Sequence, residues 1–237
     1  SWWWNPLSYV TDEVRAAKLA EHFAAGSRDP GARTDAFFDP ARKIGPQISA
    51  ALLERGVIGR AMPVLEADVF SISATGGVNP LMQKPFGLLF EAIDDLKPGE
   101  VYVASGSSPT YALWGELTST RAQHLGARGA IVNGFARDID GIRALDFPCF
   151  ATGFYAQDQG PRGKVVDYRS AIEINGIRIE PGTLIFGDKE GVLIIPREAE
   201  AEAIRLSLEK ARGEKLVAEA IRGGMSAAKA FETYGIM

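Results

Sequence analysis

Two short stretches carry residues whose types and spacing suit bond-breaking chemistry: Trp114-Gly115-Glu116-Leu117-Thr118 and Asn133-Gly134-Phe135-Ala136-Arg137-Asp138. The first reads as the opening turn of a helix that continues to Gly126, a C-terminal stop. A helix start exposes unpaired backbone N–H groups at the positive end of its dipole, which suits a carboxylate or phosphate. Gly115 would let such an anion approach the backbone closely. The second stretch follows the apolar run Ala130-Ile131-Val132. Arg137 and Asp138 therefore fall beyond the carboxyl end of a strand, where ligands gather in open α/β sheets.

The chemistry that wants an Arg and an Asp there is cleavage of a carbon–carbon bond next to a 2-keto acid. Such a cleavage leaves an enolate, whose charge must be stabilised as it develops. The Arg137 guanidinium stays protonated and offers several donors to the enolate oxygen or the carboxylate. A divalent cation does the same work as a Lewis acid. Magnesium takes only one or two protein carboxylates, so Asp138 as direct ligand and Glu116 as an outer, water-bridged partner would suffice. The same residues also fit a plainer arrangement: a surface ion pair between Arg137 and Asp138, with Asp138 capping the next helix.

These residues need a scaffold, and the rest of the chain supplies one. Hydrophobic residues make up 46% and charged residues 24% of the 237 residues, enough apolar matter for one sizeable core. Runs such as Val101-Tyr102-Val103-Ala104, Cys149-Phe150-Ala151-Thr152, Ala171-Ile172-Glu173-Ile174, Thr183-Leu184-Ile185-Phe186 and Val192-Leu193-Ile194-Ile195 read as strands, as does Val69-Phe70-Ser71-Ile72-Ser73. Helices are expected near Leu88–Leu96, Leu113–Leu125, Ile139–Leu145 and Glu198–Arg222, and earlier from Thr11–Asp12 and from Pro46 to Leu53. The pattern divides into a helical amino-terminal arm over residues 1–56, an α/β domain over 57–196 and a helical extension over 197–237. Trp2, Trp3 and Trp4 are expected either to pack on their own domain or to clasp a neighbouring subunit.

Several function classes are disfavoured. The 26 basic and 30 acidic residues give a net charge of −4, so there is no general electrostatic reason to bind nucleic acid. Cys149 is the only cysteine, which excludes an internal disulfide and a cysteine-based zinc cluster. No apolar run is long enough to cross a bilayer, and Ser1 to Pro6 does not read as a signal peptide; a cytoplasmic location is the expectation.

Taken together, Gly115-Glu116, twenty intervening residues and Arg137-Asp138 resemble the signature of class II pyruvate aldolases. These cleave 4-hydroxy-4-methyl-2-oxoglutarate and 4-carboxy-4-hydroxy-2-oxoadipate and share a fold with the regulator of ribonuclease activity A. The strand Gly129-Ala130-Ile131-Val132-Asn133-Gly134 and the closing segment from Ile179 to Pro196 are similar to the family's as well. The resemblance implies an α/β fold, a three-layer β/β/α swivelling domain, assembled as a homotrimer or homohexamer. It implies that Gly115, Glu116, Leu117 and Thr118 line the substrate carboxylate site, mainly through backbone N–H groups. Arg137 would hold the keto oxygen and enolate, with Glu116 as its catalytic partner, and Asp138 would hold Mg2+ or Mn2+. Oxaloacetate decarboxylation is the implied side activity, and a non-catalytic, protein-binding regulator of ribonuclease activity is the alternative on the same fold. One position departs from the aldolase pattern. Gly141 stands where those enzymes carry an acidic residue, so Gly141→Glu is expected to raise aldolase activity.

Overall fold

Alternation along two neighbouring strands shows how the layers form. Over Glu100–Ser105, Val101 and Val103 face one side of a sheet while Tyr102 and Ala104 face the other; over Gly129–Ala136, Ile131 opposes Ala130 and Val132 in the same way. Both sides are apolar, so both must be covered. The computed structural model describes residues 43–44, 50–51, 56–69, 79–160 and 162–236. The tryptophan-rich terminus and the helix expected from Thr11 lie outside them, as does most of the strand expected at Val69–Ser73.

In chain order the described elements are β1 (Lys43–Ile44), β2 (Ala50–Ala51), β3 (Val57–Asp68), α1 (Leu89–Asp94), β4 (Glu100–Ser105), β5 (Ala112–Trp114) and α2 (Glu116–His124). They continue with β6 (Gly129–Ala136), α3 (Ile139–Ala144), β7 (Cys149–Phe154), β8 (Gly163–Tyr168), β9 (Ile172–Ile174) and β10 (Ile177–Ile179). The last are β11 (Leu184–Asp188), β12 (Gly191–Ile195), α4 (Glu200–Arg222) and α5 (Ala227–Tyr234). The main sheet runs β1-β12-β11-β3-β4-β6-β7-β2, with β5 beside β6 and β8 beside β3. Strands β3, β4, β6 and β7 are parallel, as is β5 beside β6, whereas β1–β12, β11–β3, β8–β3 and β2–β7 are antiparallel.

On one face, Leu89, Ala92 and Ile93 of α1, Ala122 of α2 and Ile142 of α3 pack on Met62, Val64, Tyr102, Trp114 and Val132. On the other, the β9–β10 hairpin lays Ile172, Ile174, Ile177 and Ile179 over Val101, Val103, Ile131 and Phe150. The outcome is the expected three-layer β/β/α arrangement, an α/β fold.

Some elements differ from the sequence reading. Ala50–Ala51, expected within a helix, pairs as strand β2 with Phe150 and Ala151 of β7, giving its backbone partners in a ladder instead of a helical turn. Strand β3 extends through Pro63, which a central strand normally rejects. It is tolerated because β11 pairs only with residues from Val57 to Arg60 and β8 only with Val64 to Asp68. Pro63 falls between these partners, and its carbonyl accepts from Arg169 N at 2.8 Å. Helix α2 starts at Glu116 because Ala112–Trp114 joins the sheet against Phe135 and Ala136.

The compact unit that contains the sheet spans Ala41–Ile194, and Ile195–Met237 falls in a second unit. There α4 buries Ala203, Ser207, Ala211 and Val217, and its exposed side pairs Arg205 with Glu202 and Glu209. Helix α5 is capped by Ser226, whose side chain accepts from Lys229 N, and ends at Gly235 in the left-handed conformation.

Candidate functional site

The ends of β5 and β6 bring the two chemical stretches together. Arg137 N donates to Trp114 O at 2.9 Å, so the turn before α2 and the loop after β6 are tied backbone to backbone. Trp114 is buried, donates from Nε1 to Ser119 Oγ at 2.7 Å, and rests against Tyr102 with ring centroids 4.6 Å apart. That anchor fixes the entry to α2. At its cap, Gly115 N donates to Thr118 Oγ1 at 3.0 Å, and the same hydroxyl donates to Gly115 O at 2.8 Å. The Thr118 side chain is thus engaged inside the cap. What it offers a ligand is its backbone, because the first intrahelical bond of the ladder is Ser119 N to Gly115 O. Leu117 is 80% exposed beside it.

Across from this turn, Asp138 adopts φ 56 and ψ 44, a left-handed conformation that turns the chain sharply from β6 into α3. It occupies the N-cap position of α3, yet its side chain makes no capping bond. The carboxylate lies against the glycine instead: a Cβ on Gly115 would stand 2.8 Å from Asp138 Oδ2 and 3.3 Å from Arg137 Cγ. Gly115 has extended backbone angles, so close approach, not torsion, is what requires a glycine. Arg137 Nη1 is 3.6 Å from Asp138 Oδ2, an ion-pair distance beyond a hydrogen bond. The expected pair therefore exists, but Asp138 is not spent on the helix cap.

Two partners escaped the sequence reading. Asp158, in the loop after β7, forms an ion pair through Oδ2 with Arg137 Nη2 at 2.9 Å. The only local sign was an Asp-x-Gly turn, with Gly160 N donating to Asp158 Oδ1 at 2.6 Å. The second is the fit between Glu116 and Gly141. A Cβ on Gly141 would fall 2.3 Å from both Cδ and Oε2 of Glu116, so the glutamate already lies over the glycine. This corrects the expectation for Gly141→Glu. The added side chain would displace a carboxylate, not supply a missing one.

Arg137 stands between the carboxylates of Asp138 and Asp158, with Asp138 against Gly115 and the Glu116 carboxylate over Gly141, so the carboxylates outnumber the guanidinium. Among the described residues no group of three or more His, Cys, Asp or Glu side chains forms a metal cage. The donor set still fits an ion that needs one or two carboxylates and completes its shell with water and substrate. Cys149 is buried in β7 and burial pushes its thiol up, so it is no nucleophile. No helix among the described residues is long and apolar enough to cross a membrane.

Comparison with known proteins identifies the family. The chain is 32% identical to protein DlpA of Legionella pneumophila over 122 residues, covering 52% of this chain but only 20% of DlpA. It is 30% identical over 144 residues to a Halalkalibacterium halodurans protein provisionally named 4-hydroxy-4-methyl-2-oxoglutarate aldolase, covering 60% and 68% of the two chains. A crystal structure of an uncharacterized protein from Pseudomonas syringae pv. tomato shares the fold, with a TM-score of 0.69 at 24% identity over 99% of this chain and 98% of that one. The family model described as RraA-like, Aldolase/RraA, matches residues 33–194. That span is more than half of the sequence, and the chain belongs to the RraA-like family.

Proposed function

We propose that the protein is a divalent-metal-dependent lyase that cleaves a carbon–carbon bond next to a pyruvate-like 2-keto acid, as an aldolase on 4-hydroxy-4-methyl-2-oxoglutarate, an oxaloacetate decarboxylase, or both. The observation that carries this reading is the contact between the Gly115 turn and the Arg137–Asp138 pair, which sets helix-start N–H groups, a guanidinium and an uncapped carboxylate around one point. Asp138 would hold Mg2+ or Mn2+ directly and Glu116 through water. Bound there, the ion would offset the net negative charge of the cluster and stabilise developing enolate charge.

The residues then divide the work. The backbone N–H groups of Glu116, Leu117 and Thr118 receive the substrate carboxylate. Arg137 donates to the keto oxygen. In oxaloacetate decarboxylation the C3–C4 bond breaks, carbon dioxide leaves, and the electron pair moves to the C2 oxygen as an enolate. Arg137 stabilises that charge as it forms, and protonation of C3 by water gives pyruvate. A regulator acting only by protein contact would have no use for an uncapped Asp138 beside a glycine that keeps its carboxylate close, which favours catalysis. The homotrimer or homohexamer implied by the family resemblance is part of the same proposal. Pyruvate release from a panel of 2-keto acids, with and without magnesium, tests it.

The Glu116–Gly141 fit gives a separate expectation. Gly141→Ala should stabilise α3 by about 0.5–1 kcal/mol, because alanine loses less conformational freedom in a helix. Its methyl group would also push the Glu116 carboxylate away. The expected result is a slightly raised Tm with reduced metal-stimulated pyruvate release. A variant with unchanged turnover would remove Glu116 from the catalytic set.

A further inference from the structure

We infer that Asp158 is a positioning residue for Arg137, holding one edge of the guanidinium so that its remaining donors face the Gly115 turn; the catalytic consequence rests on the keto-acid reading above. Of the two acidic neighbours, Asp158 makes the closer ion pair, at 2.9 Å, whereas Asp138 stands at 3.6 Å. The sequence-adjacent carboxylate is therefore not the one that orients the arginine.

Asp158 is itself built into the site. Its Oδ1 accepts from Gly160 N at 2.6 Å, leaving Oδ2 for the guanidinium. Its loop is fixed to β5, where Ala112 N donates to Gln157 O at 2.8 Å and Ala112 bridges Asp158. The base of the loop is closed by Gln159 O, which accepts from Arg162 N at 2.8 Å and Gly163 N at 2.7 Å. Since β5 also carries Trp114 into Gly115, one strand sets both the anion-facing turn and the carboxylate that aims the arginine.

With Nη2 held by Asp158, the Nε side is turned to the turn: a Cβ on Gly115 would lie 3.6 Å from Nε. A planar fork gripped on one edge presents its other donors in a fixed direction, as stabilisation of a developing oxyanion requires. The grip also leaves the Asp138 carboxylate free of a competing hydrogen bond from Arg137. The pair is 36% and 41% exposed, so its value to folding is small. A merely structural role would therefore leave little to measure.

The test compares Asp158→Asn and Asp158→Glu with the unaltered full chain. Arg137 modification by phenylglyoxal, located by peptide mass spectrometry, reads the grip without any turnover. The Asn variant should react several-fold faster and the Glu variant should fall back towards the unaltered rate. In oxaloacetate decarboxylation, Asp158→Asn should lower kcat roughly tenfold or more with KM little changed, since loss of orientation acts on the reacting geometry. Its Tm should stay within about 2 °C of the parent. Equal Arg137 reactivity in parent and Asn variant would overturn the assignment whatever the activity, and so would a faster-reacting Arg137 with unchanged kcat. A parent protein inert towards every keto acid would instead defeat the proposed reaction, while the phenylglyoxal rates would still decide whether Asp158 holds Arg137.

Discussion

Arg137→Lys should abolish most turnover while leaving the fold intact, although it keeps the positive charge. A lysine ammonium is a point charge on a flexible stem and cannot reach Asp158 with one edge while presenting further donors to the Gly115 turn. Loss of one preorganised donor to a developing oxyanion costs ~10²–10³ in kcat, or ~2.7–4 kcal/mol. The Arg137 side chain is 36% exposed and contributes nothing to the core, so thermal unfolding should be nearly unchanged. Near-normal turnover in the lysine variant would return Arg137 to the status of a surface ion-pair residue.

The second large effect lies away from the site. Glu66 on β3 is 1% exposed, and among the described residues neither carboxylate oxygen has a hydrogen-bond partner. Burial, with a smaller contribution from Asp68, pushes its pKa up to about 8. The nearby Tyr102 hydroxyl is also buried without a hydrogen-bond partner among the described residues, and burial and then Glu66 hold its pKa well above the ordinary value. A carboxyl with a raised folded-state pKa binds its proton more tightly folded than unfolded. Its contribution is fully favourable below the unfolded value of 4.5 and is lost as pH rises towards 8. Between pH 5 and pH 8 this one group should lower stability by about 3 kcal/mol. Glu66→Gln removes the titration, so its Tm should match the parent near pH 5 and exceed it by roughly 6–12 °C at pH 8. Parallel Tm-versus-pH curves for the two proteins would show that Glu66 is not a buried, unpartnered acid.

The parts of the fold legible in the sequence were those in which burial alone fixes residue type. Strands β4, β6, β7, β11 and β12 are covered on both faces or nearly so, and they read as continuous apolar runs. Strand β8 did not, because Lys164 and Asp167 interrupt its pattern, and β5 did not, because three residues feed directly into a helix. Strand β3 was obscured by Gly59 and Pro63, which a gap between two partner strands accommodates. The same division holds at the site. Gly115, Glu116, Arg137 and Asp138 lie in two local motifs and could be recognised from them. Asp158 and the Glu116–Gly141 fit depend on how separate loops approach one another, which no local pattern encodes.

On the proposed reading, Asp138, freed from the helix cap and held against Gly115, supports metal-dependent cleavage beside a 2-keto group. The decisive measurement is pyruvate release from oxaloacetate, with magnesium and with a chelator, for the unaltered chain and for Asp138→Asn. Magnesium should stimulate release by the unaltered chain, and that stimulation should be lost in a folded Asn variant. Stimulation of equal size in both proteins would rule out Asp138 as the metal ligand.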